Sequence, residues 1–310
     1  MIVGESGCAD AFSKYEALAS ALPASRQGLG NAPYRKHDGF WYPEHLMAPT
    51  LAMRDTFAAR PTDVILATMP KSGTTWLKAI VYSVVHRGRH APARERHPLL
   101  ATSPHELVPF LHSLYENHRA VHGPARARRC RGPGAASSTC AGTPRTPSSR
   151  SATTSIKPEG SEMTPFAEAF DLLCGGVSPF GPVWDHMAEY ESVARRGEVM
   201  FLRYEHLKED AVGTVRRLAE FLGCPFTEEE VASGVPEAVV ALCSLDRMRS
   251  VRDNRDGVHG TGRWSFKNMA FFRKGEVGDW KAHMTPEMAQ RLDGIVEEKL
   301  RGSGLSLAGN

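Results

Sequence analysis

The chain has 310 residues, 41% hydrophobic and 24% charged, with a net charge of +3. That length suits one large α/β domain or two small ones, and the apolar content suffices for a real core. So small a net charge argues against a nucleic-acid or membrane-surface partner and is compatible with a basic pocket for an anionic small molecule. The six cysteines (Cys8, Cys130, Cys140, Cys174, Cys224 and Cys243) show no CxxC or framework spacing and read as reduced thiols of a cytoplasmic protein. Glu5, Asp10 and Lys14 interrupt the first apolar stretches, so no signal peptide is expected, and no apolar run reaches membrane-span length.

Residues 1–30 are rich in Ala, Ser and Gly and are expected to form a loosely ordered arm with a short helix. The 37–47 stretch, HDGFWYPEHLM, gathers aromatics that suit either a pocket wall or plain packing. Asp63–Thr68 reads as a buried strand, and Gly73 to about His86 as a helix with Trp76, Leu77, Ile80 and Val84 on one face. Residues 105–115 form a short apolar segment. Helical stretches broken by Gly175, Gly176 and Pro179–Pro182 fill 167–190, and Val199–Tyr204 reads as a second buried strand. Asp210–Leu222 is amphipathic, with Val212, Val215, Leu218 and Phe221 inward and Gly223 as its stop. Another apolar segment starts at Ala238, and a last helix starts at Thr285–Pro286, a cap residue followed by proline at the first helical position. Buried strands alternating with amphipathic helices predict a mostly parallel sheet flanked by helices, an α/β fold.

Between the first strand and helix lies Pro70-Lys71-Ser72-Gly73-Thr74-Thr75-Trp76. A small-residue loop opening a helix presents free N–H groups and the positive end of the helix dipole, which suits a phosphate-like anion. Lys71 adds a point charge, and Ser72, Thr74 and Thr75 add hydroxyl donors. With one glycine, and the lysine ahead of it, the loop departs from G-x-x-x-x-G-K-[ST]. A second basic turn, Arg273-Lys274-Gly275, lies in FFRKGEVGDWK at 271–281. Two such loops suit a ligand with two separated anionic groups, and the glycine-bearing segment 246–270 is then expected to be a mobile lid.

Taken together, PKSGTTW at 70–76, RYEHLKED at 203–210, FLGCPF at 221–226 and RKGEVGDWK at 273–281 resemble the cytosolic sulfotransferases, most closely the plant-type soluble enzymes. GFWYPEHLM near the start and EEKLRGSGLS at 297–306 fit the same group. The resemblance implies a single domain with a P-loop-like nucleotide-binding core. It implies transfer of a sulfuryl group from 3′-phosphoadenylyl sulfate to a hydroxyl or amine of a small organic acceptor. Lys71, Ser72, Gly73, Thr74, Thr75 and Trp76 then hold the 5′-phosphosulfate, Tyr204 and Met248 contact the nucleoside, and Arg273, Lys274 and Gly275 hold the 3′-phosphate. Lys71 would also be catalytic, neutralising the leaving phosphate oxygen. No metal is needed, and no His, Cys or carboxylate cluster has metal-ligand spacing. The acceptor pocket is expected around Phe40–Trp41, Pro109–Tyr115, Trp184 and the lid, for a phenolic, flavonoid or steroid-like substrate.

One stretch departs from this family. It should carry a histidine base in an H-x-P context, then a strand followed by R-D-P-K-D-x-x-x-S, whose Arg and Ser bind the 3′-phosphate. Pro124 to Thr154 instead reads PARARRCRGPGAASSTCAGTPRTPSSRSATT, a linker by composition. Joining the third base of each codon to the first two of the next gives another result. Ala135 into Cys140 then permits R-V-V-Y-V, Cys140 through Thr146 permits C-R-D-P-K-D, and Thr146 through Thr154 permits A-F-V-S-L-C-H-Y. This long uninterrupted run of matches indicates that residues from about 124 to 154 are translated out of frame. The literal segment is therefore expected to be irregular, the sheet to lack one strand, and the chain to be weakly active or inactive. His122, in AVHGP just before the shift, fits the family's base, whereas His105 looks structural and His112 and His118 have no motif support. A P-loop phosphotransferase would need magnesium and an acidic strand end, which the sequence does not show. A binding-only relative would hold adenosine 3′,5′-bisphosphate without sulfating an acceptor.

Overall fold

Val199–Arg203 shows how the core is organised: Met200 and Leu202 pack into one apolar cluster, while Phe201 between them packs into another. Alternating strand residues face opposite sides, so this strand lies in a sheet covered on both faces. The computed structural model describes residues 5–25, 33–60, 62–116, 136–141, 164–194, 197, 199–260, 265–272 and 274–303. Strands β1 (Ala24–Ser25), β2 (Tyr34–His37) and β3 (Phe40–Pro43) form a small antiparallel sheet. Strands β4 (Val64–Thr68), β5 (Ala136–Ala141) and β6 (Val199–Arg203) form the parallel one.

On one face lie helix α3 (Thr74–His86) and the helices Ala211–Phe221 and Val235–Leu242. Leu77, Ile80 and Val84 of α3 meet Leu202, Val215, Leu218 and Val239 there. On the other face Val183–Ala194 and Pro286–Leu300 bring Trp184, Met187, Leu292 and Val296 together with Phe201. Asp210 caps Ala211–Phe221 by accepting from the Gly213 N–H at 2.8 Å. Gly223, at φ 69°, closes that helix with the Cys224 N–H donating to Ala219 O at 2.9 Å.

Three expectations change. The sheet does not lack a strand: β5 pairs parallel with β4 (Val64↔Ala136 to Thr68↔Cys140) and with β6 (Ser137↔Val199 to Ala141↔Arg203). Ladder hydrogen bonds use backbone groups alone, and these six residues contain neither Pro nor Gly, so the slot accepts them despite their composition. The rest of 124–154 lies outside the described residues. The expected loose arm contains α1, a 17-residue helix over Glu5–Ala21. Tyr15 and Ala19, one turn apart, are buried against Met47 and Leu51 of α2 (Glu44–Thr56), so tertiary burial fixes what composition alone would leave loose. The 246–270 segment, read as a lid, carries the helices Leu245–Ser250 and Arg252–Asp256 and the strand pair Val258–His259 and Phe266–Lys267. Asp253 ties it down by accepting from the Ser103 N–H at 2.6 Å.

Candidate active site

The carboxyl ends of β4 and β6 deliver the site, which is where open parallel sheets place their ligands. From β4 the chain passes through Met69 and Pro70 into a turn in which Lys71 has φ 67° and Gly73 has φ 100°. Both are left-handed conformations, natural for glycine and costly for lysine, so the turn is tightly determined by its surroundings. Ser72 stabilises it: its N–H donates to Met69 O at 3.2 Å and its Oγ at 2.6 Å. The first helical hydrogen bond of α3 runs from the Leu77 N–H to Gly73 O at 2.9 Å. The N–H groups of Thr74, Thr75 and Trp76 therefore precede the ladder, as an anion cradle requires.

The three hydroxyls of the loop are held from within. Ser72 is committed to Met69, and Thr74 Oγ1 lies 2.7 Å from Thr68 Oγ1. Thr75 Oγ1 lies 3.0 Å from His105 Nε2. Lys71 Nζ donates to Ala270 O at 2.9 Å and lies 5.6 Å from the Phe271 ring centroid. The lysine thus bridges to the segment that leads into the second basic loop, 199 positions away in the chain.

The β6 end closes the other side. Tyr204 starts the helix Tyr204–Glu209 and meets Trp76 edge to face at 5.8 Å. Trp76 Nε1 is buried with no hydrogen-bond partner among the described residues, a donor left for a ligand. Met248 is buried in the same apolar cluster as Tyr204. Gly275 has φ 69°, and a Cβ built there would lie 2.8 Å from Leu245 Cδ2 and 3.8 Å from Tyr204 Oη. Arg249 anchors the end of the preceding helical turn, Asn268–Phe271, by donating to Phe272 O at 3.2 Å from Nε and 3.0 Å from Nη2. The structure therefore brings Lys71–Trp76, Tyr204, Met248 and Gly275 together. Lys274 is turned elsewhere: its Nζ donates at 2.9 Å to Oδ1 of the buried Asp279. His122 and Arg273 lie outside the described residues. Gly275→Ala is expected to lower stability by about 1 kcal/mol through the left-handed backbone, read as a lower urea midpoint at unchanged slope.

Two neighbours of the cradle have no counterpart among the residues expected from sequence to serve it. Lys78, on the inward side of α3, is 3% exposed, and its Nζ lies 3.1 Å from His105 Nδ1. Burial pushes the Lys78 pKa down to about 7. Burial, then the Lys78 charge, then His259 and Lys71 drive His105 down to about 2, so its ring stays neutral. The signal was available in the sequence: Lys78 follows Thr74 by four positions, the spacing that puts two helical residues on one face.

From His105 a row of rings leads away from the cradle: Phe271 at 3.9 Å, Phe110 at 5.0 Å and His259 at 5.5 Å. Phe110 continues to His112 at 5.4 Å, and His112 to Phe180 at 6.2 Å. Trp184 and Tyr115, expected in a pocket wall, are instead core residues at 4% and 8% exposure. Trp184 packs with Phe170 and Met187, and Tyr115 with the α1–α2 pair, where burial of a large ring stabilises the fold most. Among the described residues no His, Cys or carboxylate group could hold a metal ion.

A helix-flanked parallel sheet with a Lys-bearing anion cradle at its carboxyl edge defines an α/β protein of the nucleotide-binding kind. The chain belongs to the sulfotransferase family: the sulfotransferase-domain profile matches residues 61–143 and 145–304. Cytosolic sulfotransferase 5 of Arabidopsis thaliana is 35% identical over 96% of this chain and 97% of its own. A solved Arabidopsis thaliana protein described as a candidate steroid sulphotransferase superposes with a TM-score of 0.71 at 26% identity, covering 99% of both chains. A retinol dehydratase, solved with androsterone and the inactive cofactor PAP, superposes with a TM-score of 0.63 at 17% identity over 96% of each chain, which shows the common fold. The protein is accordingly a sulfotransferase enzyme acting on a small-molecule acceptor.

Proposed function

We propose that this enzyme moves a sulfuryl group from 3′-phosphoadenylyl sulfate to the hydroxyl of a ring-bearing acceptor. Lys71, Ser72, Gly73, Thr74, Thr75 and Trp76 hold the phosphosulfate end, Tyr204 and Met248 the nucleoside, and Arg273 and Gly275 the 3′-phosphate, with Lys274 joining them only on leaving Asp279. The observation that carries this reading is the Lys71 bridge to Ala270, which ties the first basic loop to the segment leading into the second. The unpartnered Trp76 Nε1 and the free N–H groups at the start of α3 fit an anionic nucleotide. Relatives named cytosolic support a cytoplasmic location, and no helix among the described residues is long and apolar enough to cross a membrane.

In the transfer the acceptor oxygen forms a bond to sulfur while the bond from sulfur to the phosphate oxygen breaks. The electron pair of that bond goes to the phosphate, where Lys71 neutralises it. The acceptor proton goes to a base, and His122 is the residue assigned to that role. The row of rings from Phe271 through Phe110 to Phe180 supports a flat phenolic, flavonoid or steroid-like acceptor.

The test is turnover of phenols, flavonols and hydroxysteroids with a sulfur-labelled donor. His122→Ala is expected to lower kcat by about 10²–10⁴. Affinity for adenosine 3′,5′-bisphosphate should be unchanged, because a base on the acceptor side does not touch the nucleotide. Tight nucleotide binding without transfer to any acceptor would replace this reading with a binding-only one.

A further inference from the structure

Lys78 is a buried cation whose partners are an imidazole and a ring: His105 Nδ1 at 3.1 Å and the Phe110 centroid at 3.4 Å. Among the described residues no carboxylate pairs with it, so burial lowers its pKa to about 7, and an anion bound nearby would favour its charged form. The geometry continues from His105 Nε2 to Thr75 Oγ1, 3.0 Å away in the cradle.

Donor and acceptor roles along this chain are coupled. While Lys78 is charged, at pH below its pKa of about 7, its ammonium can only donate, so His105 Nδ1 accepts and the ring proton sits on Nε2. Nε2–H then donates to Thr75 Oγ1, leaving the threonine's own proton free to point at an anion. Without the lysine the ring can take the other tautomer, in which Nε2 accepts the Thr75 proton. Thr75 would then present lone pairs to the anion, turning a donor into a repulsive neighbour. The strong downward shift of the His105 pKa keeps the ring neutral, so tautomer choice, and not protonation, is what the lysine controls.

We propose that Lys78 and His105 are positioning residues that fix the direction of the Thr75 hydroxyl proton, making Thr75 an obligatory donor to the 5′-phosphate end of the bound nucleotide. This rests on the reading of Lys71–Trp76 as the phosphosulfate cradle, and the two can fail separately.

The test uses the full chain as wild type, Thr75→Val, Lys78→Met and the double variant. Affinity for adenosine 3′,5′-bisphosphate is measured by calorimetry, and the His105 tautomer by long-range proton–nitrogen NMR with His105→Asn for assignment. Each single substitution should weaken binding about tenfold, the value of one hydrogen bond to a charged group. The double variant should match Thr75→Val, because the lysine acts only through that hydroxyl. His105 should carry its proton on Nε2 in the wild type and lose that preference in Lys78→Met. Additive losses, or an Nδ1–H ring in the wild type, would overturn the proposal. The wild-type tautomer is read without nucleotide at a pH about one unit below the Lys78 pKa, where the lysine is charged, and needs no variant to fold in the Lys78 position. If Thr75→Val alone leaves affinity unchanged, the cradle reading fails at Thr75, whatever the tautomer.

Discussion

Lys71→Met is expected to lower kcat by about 10²–10³, the cost of removing one preorganised charge from a developing anion. Methionine keeps the apolar stem beside Phe271, and the substitution leaves the φ of 67° no worse accommodated than before. Stability should therefore change little, and the loss should fall on turnover. Binding of adenosine 3′,5′-bisphosphate should weaken far less than kcat falls, since the loop N–H groups and the helix start remain. The Nζ is held by Ala270 O at 2.9 Å, so its removal leaves the loop N–H groups in place. Lys71→Arg would restore the charge without the geometry, because a planar fork cannot occupy the place of a compact ammonium. Rapid-quench measurement of the transfer step separates the two effects. A Lys71→Met enzyme with wild-type turnover would remove the lysine from the chemistry.

The cradle was legible in the sequence because its causes are local. A β-branched run, a small-residue turn and an apolar helical stripe each follow from neighbouring residues, and β4 and α3 form within a residue of where the pattern puts them. The same holds for Thr285, whose side chain caps the helix that follows it. Trp184 shows the limit. The family resemblance put it in a pocket wall, but burial depends on which helix lies opposite, and Pro286–Leu300 comes from the far end of the chain. Lys274 shows it again. An RKG turn looks like two free cations, yet the buried Asp279 five residues on takes the lysine. Pairing of this sort depends on how a loop curls, which composition does not encode. β5 was misjudged for a related reason: linker composition describes a segment in isolation, whereas two waiting parallel strands supply a ladder to any unbroken backbone.

Restoring the alternate frame across 124–154 is the change with the other large expected effect. We propose that this segment is out of frame, because the shifted codons from Cys140 to Thr146 permit C-R-D-P-K-D. The restored chain would place valine and tyrosine in the strand that now reads Ala-Ser-Ser-Thr-Cys-Ala, between β4 and β6. A central strand is covered on both faces, and each large apolar side chain buried there adds about 1.5–3 kcal/mol. Arginine and serine of the restored motif would follow directly at the carboxyl edge, the edge that already holds the Lys71 turn and Tyr204. Two charge-assisted contacts to the 3′-phosphate, at about 1.5–3 kcal/mol each, correspond to about 10²–10⁴ in affinity. The restored protein is therefore expected to bind adenosine 3′,5′-bisphosphate at least about a hundredfold more tightly than the literal one and to unfold at higher urea. The gain should shrink for adenosine 5′-phosphate, which lacks the group those residues would hold. Transcript sequencing over the segment decides whether the bases spell the motif. Equal affinity of the two proteins for the bisphosphate would show that the present loops already complete the site.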